Sequence, residues 1–99
     1  MSTKSINFRD LPGSDLVRDG LSDLEKNIRS ENALLVSIAG PRLRGLGLPV
    51  PTMEFTQQPY EHELFGVLEE RLGPGAHAAY NALIGRIVSF ANAYTIVRD

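Results

Sequence analysis

The chain contains no cysteine. This excludes disulfides, thiolate catalysis and every cysteine-ligated zinc or iron–sulfur site, so stability has to come from packing, and it fits a reducing compartment. Long hydrophobic runs are missing as well. The longest, Ala33 to Val36, falls far below the roughly 20 apolar residues that cross a bilayer. The first ten residues, MSTKSINFRD, lack the apolar centre of a secretory leader. The cytoplasm is the expected address, with no membrane partner. Nor is there an excess of positive charge. Ten Lys+Arg stand against twelve Asp+Glu, for a net charge of −2, so no overall field gathers nucleic-acid phosphates, and nucleic acid is not an expected partner.

What remains is ordinary globular material. The 99 residues are 42% hydrophobic and 22% charged, enough for one modest core. Residues 1–99 therefore read as a single domain, with 1–10 as a loose arm that can dock by Ile6 and Phe8.

The apolar spacing predicts an all-α chain. Val17, Leu21, Leu24 and Ile28 recur every three or four residues, which aligns them on one face of a helix over about 15–28, capped by Ser14. Ser30 and Glu31 predict the start of a second helix, whose NALLVSIA segment is apolar at nearly every position. That is the pattern of a helix buried on most sides, although a short strand reads much the same. Pro41 has no backbone donor and its ring collides with the Ser37 carbonyl, so a kink or a restart is expected there. From Gly45 to Pro59, two glycines and three prolines argue for an extended connection. Leu48, Val50, Met53 and Phe55 alternate along it as a strap or an edge strand would.

Pro59 suits the first position of a third helix over about 59–72, with Tyr60, Leu64, Phe65, Leu68 and Leu72 as its apolar stripe. Gly73 is placed to close it in the left-handed conformation, and Pro74 to open a fourth helix over about 75–96. In that last helix Ala76, Tyr80, Leu83, Ile87, Phe90 and Tyr94 form the core face, joined by Ile84 and Ala91. The predicted architecture is a four-helix, bundle-like domain of two helical hairpins joined by the Pro/Gly-rich connection.

Searched for chemistry, the chain yields no catalytic centre and no cofactor motif. Gly40, Gly45 and Gly47 match neither the dinucleotide-binding nor the P-loop spacing. Arg42 and Arg44 fit a last helical turn, where cations meet the negative end of the helix dipole and Gly45 or Gly47 takes the left-handed cap. They can also act as an anion or partner contact, because no acidic residue lies between Glu31 and Glu54. A helix-turn-helix reading fails on the apolar second helix and the acidic first one. His62 and His77 lack the i, i+4 spacing of a helical metal pair, and YEHE at residues 60–63 reads as an acidic first turn, so no metal is expected. His77, with Asn81 one turn on, reads as a cap or surface contact before a catalytic base. No serine has an elbow or a neighbouring base.

The unusual segment is the last helix. From Leu72 to Arg98 the only Arg, Lys, Asp or Glu side chains are Arg86 and Arg98. Opposite its core face lie Ala78, Asn81, Gly85, Val88, Ser89, Asn92 and Ile96, small or uncharged for the most part, and such a face needs cover. Either the helix is the central one, wrapped by the other three, or this face pairs with a second copy. The functional expectation is a non-enzymatic interaction or regulatory module that forms a homodimer, or binds another protein. The alternative is a small-ligand or enzymatic domain with a cleft near His77, Tyr80, Asn81, Arg42 and Arg44.

Overall fold

The structure, a computed structural model, describes residues 10–51 and 59–97. Among these residues are five α-helices and no strand: α1 (Ser14–Glu25), α2 (Glu31–Ile38), α3 (Gly40–Gly45), α4 (Tyr60–Leu72) and α5 (Ala76–Val97). The chain is all-α, as its periodicity predicts. None of these helices is long and apolar enough to cross a membrane. The expected arm up to residue 9, and Met53 and Phe55 of the connection, lie outside the described residues.

Ser30 is the cap the sequence predicts. Its hydroxyl accepts a hydrogen bond from the Ala33 N–H at 3.0 Å and donates to Asp23 Oδ2 at 2.6 Å, so one side chain starts α2 and ties it to the end of α1. Pro41 does force a restart: α2 stops at Ile38, and α3 begins at Gly40 with the proline in its first turn.

Several boundaries differ from the sequence reading. Ser14 does not cap α1. Gly13 stands at the cap with φ +77, and Ser14 is buried in the first turn. The reason is a close approach: a β-carbon on Gly13 would lie 2.7 Å from the Arg86 carbonyl oxygen of α5. Helix α1 also ends three residues early. Asn27 takes a left-handed φ of +59, with Ile28 N–H bonded to the Asp23 carbonyl and Asn27 N–H to Leu24. This is a Schellman closure with asparagine in place of glycine. Ile28 is thereby left 46% exposed, and Leu16 joins the core.

Gly47, at φ +99, closes α3 in the same way, with Leu48 N–H bonded to Leu43 and Gly47 N–H to Arg44. Pro59 is the residue before α4 rather than its first. Gly73 ends α4 at φ +59, but its ψ of −125 lies outside the left-handed helical basin, and Pro74 sits inside a 3-10 turn, Gly73–Gly75.

The core is built around α2. Ala33, Leu34, Leu35 and Val36 are all fully buried, because α2 packs on α1 and on α4 and also touches α5. Against them lie Val17 and Leu24 of α1, Leu43 of α3, Leu64 and Leu68 of α4, and Ile87, Phe90 and Ala91 of α5. The short apolar helix is therefore the central one, and α5, for which a central place was one of the two expectations, lies to one side. Ion pairs cross between elements at the surface: Arg86 of α5 with Asp15 of α1, Arg71 of α4 with Glu31 of α2, and Arg29 with Glu63 of α4. Exposed pairs of this kind contribute little stability each, and they use up the charges that flank the packed faces.

Candidate functional site

Helices α4 and α5 are joined by only the three-residue turn Gly73–Gly75, and residues of both line a cleft of about 390 Å³. One wall is a stripe of α4, Glu61, His62, Phe65, Gly66 and Glu69, and the other is the start of α5, His77, Tyr80 and Asn81. The stripe follows from spacing: these α4 positions lie one and two turns apart, beside the buried Leu64 and Leu68.

Phe65 is the pivot. Its ring meets His77 at 6.1 Å and Tyr80 at 5.9 Å between centroids, both near perpendicular, the edge-to-face geometry that aromatic quadrupoles prefer. Burial pushes the Tyr80 phenol above its ordinary pKa, and the negative charge of Glu61 adds to the shift. Among the described residues no hydrogen bond joins His77 to Asn81; the imidazole lies against Phe65 instead. Gly66 leaves the floor open, since a β-carbon there would touch nothing within 4 Å.

Of the side chains expected in a cleft, His77, Tyr80 and Asn81 come together. The arginines do not join them. Arg44 Nε donates to the Val50 carbonyl at 2.9 Å, so its charge fastens the Pro-rich connection to the end of α3. Arg42 reaches the other way, its Nη2 donating to Asn92 Oδ1 of α5 at 2.9 Å. The two residues thus have amide and carbonyl partners that the sequence, read only for nearby acids, does not reveal. The members of the cleft that sequence reasoning missed are Glu61, His62, Phe65, Gly66 and Glu69. The spacing of Glu61, Phe65 and Glu69 at i, i+4 and i+8 is the signal that marks them as one stripe.

The outer face of α5 is open. Ala78, Asn81, Gly85, Val88, Ser89, Asn92 and Ile96 are all exposed, with Val88 at 45% and Ile96 at 75%. Beside Val88 runs an apolar groove of about 210 Å³ between α5 and the α2–α3 junction, lined by Ile38, Ala39, Ile84, Ile87 and Ala91 and bordered by Arg42. Among the described residues, no three His, Cys, Asp or Glu side chains group closely enough to hold a metal ion. No family model, curated protein or solved structure matches the chain, so its function has to be read from these residues.

Proposed function

We propose that the protein is a non-enzymatic interaction or regulatory module that pairs with a second copy of itself through the outer face of α5. The observation that carries this reading is the exposure of Val88 and Ile96 on a face to which α5 contributes no charged side chain, shared with the small residues Ala78, Gly85 and Ser89. Two helices approach closely over small residues, and a two-fold arrangement lets one such face cover its own copy. In this reading the helices form a bundle-like domain of two hairpins, closed by the Pro/Gly-rich connection, that works in the cytoplasm.

Light scattering at micromolar concentration tests it. The parent chain is expected at the mass of a dimer and Gly85→Arg at the mass of a monomer. A monomer mass for both removes the proposal, and a dimer mass for both moves the interface elsewhere.

A second reading, small-ligand binding or catalysis in the α4–α5 cleft, is favoured by the meeting of His77, Tyr80 and Asn81 there. The lining of aromatic side chains with a few polar groups is of the kind that holds a small ligand.

A further inference from the structure

We infer that the α4–α5 cleft binds a small organic cation, an amine or quaternary ammonium carried on an apolar body. The inference rests on the small-ligand reading of this cleft and adds the chemical class of the ligand.

Size comes first. A volume of about 390 Å³ lies within the range of small-molecule sites, roughly 300–1,000 Å³. Charge comes next. Glu61 and Glu69 stand on the wall, and among the described residues no lysine or arginine lines the cleft. Three acids elsewhere are matched by an arginine distant in sequence, Asp15 by Arg86, Glu31 by Arg71 and Glu63 by Arg29, while Glu25 and Glu70 have no such match among the described residues. Among the described residues Glu61 and Glu69 have no such partner. The helix dipole explains an acid at position 61, in the first turn of α4. It does not explain Glu69 near the negative end, where a carboxylate is disfavoured.

The lining between the two acids is aromatic. Phe65 and Tyr80 are half-buried with their rings 5.9 Å apart, and the negative faces of such rings attract a cation, most strongly one whose hydration is weak. Gly66 leaves space over the floor, and the Asn81 side-chain oxygen at the rim can accept a hydrogen bond from an ammonium. An anion of the same size meets the two carboxylates, and the donors it finds on the described lining, the imidazoles of His62 and His77 and the Asn81 amide, carry no fixed positive charge.

The test uses the full chain, isotope-labelled, with three benzyl probes: benzyltrimethylammonium and phenylacetate, titrated to millimolar concentration, and the neutral carbon isostere of the cation, titrated to its solubility limit and compared with the cation at equal concentration, while backbone amide resonances are followed. The cation is expected to give saturable shifts confined to residues 61–69 and 77–81. The affinity should fall on the order of ten-fold in Glu61→Gln/Glu69→Gln, two exposed changes that leave the circular dichroism unchanged. Equal affinity in the double variant overturns the inference. So does phenylacetate or the neutral isostere binding as well as the cation, an outcome that leaves the cleft a small-ligand site of another class. If none of the probes shifts these resonances, the inference and the small-ligand reading fall together.

Discussion

Gly20 of α1 has no room for a side chain against Val36 of α2. A β-carbon built on Gly20 would overlap Val36 Cγ2 and stand 2.5 Å from the Asn32 carbonyl oxygen. The two helices cross where one of them has no side chain, and this lets the fully buried Val36 pack against bare backbone. Gly20→Ala is therefore expected to cost about 1–3 kcal/mol through overpacking, despite the better helix propensity of alanine. Urea unfolding measures it, and a neutral or stabilised variant would show that the crossing is looser than described.

Gly85 predicts the opposite sign. It lies within α5, and a β-carbon there would meet nothing within 4 Å. Gly85→Ala should raise the stability of the single chain by about 0.5–1 kcal/mol by removing glycine's entropic disadvantage in a helix. The midpoint of urea unfolding, measured at a concentration too low for association, is the readout.

Ser30, the cap of α2, and Ser37 within it also part company. Ser30 caps the helix and bonds Asp23, so Ser30→Ala should cost about 1 kcal/mol, within the usual range for a lost cap. The Ser37 hydroxyl, in contrast, is buried without a hydrogen-bond partner among the described residues. Removing an unsatisfied buried group relieves its desolvation cost, and Ser37→Ala should be neutral or stabilise by about 1 kcal/mol. Thermal unfolding of both variants should move in opposite directions, or at least unequally. A Ser37→Ala chain less stable than Ser30→Ala would mean that the hydroxyl has a partner.

Tyr80 predicts an alkaline loss of stability. Its phenol is raised above 10.0, first by burial and then by the charge of Glu61. The folded chain thus keeps a proton that the unfolded chain gives up as pH passes the ordinary value. Unfolding then releases a proton, so stability declines as pH rises through that value and is untouched by this group below it. Tyr80→Phe should flatten this alkaline slope, while Glu61→Gln should leave most of it, because burial is the larger cause. Urea unfolding at a series of alkaline pH values decides, and an undiminished slope in Tyr80→Phe would remove the assignment.

How much of this could be read from the sequence depends on the distance over which each cause acts. The caps at Ser30 and Gly47 and the break at Pro41 come from groups within one turn of each other, and residue type alone specifies them. The apolar stripes of α4 and α5 are equally local, and so is the uncharged outer face of α5. The early stop of α1 was legible only in part. Asn27 closes it in a conformation that asparagine tolerates but does not announce.

Placement was not legible. That α2 and not α5 lies at the centre depends on how three other helices pack around it. That Arg42 finds Asn92 fifty residues away, or Arg86 finds Asp15 at a separation of 71, depends on the same packing. The cleft needed both: the sequence supplied His77, Tyr80 and Asn81 on one helix, and only the turn at Gly73–Gly75 brought Phe65, Glu61 and Glu69 to face them. The sequence determined the helices because backbone hydrogen bonds and side-chain spacing are settled within a few residues. The tertiary structure alone decided the center of the core, the partners of the arginines and the walls of the cleft, because contacts between distant residues exist only once those helices have docked.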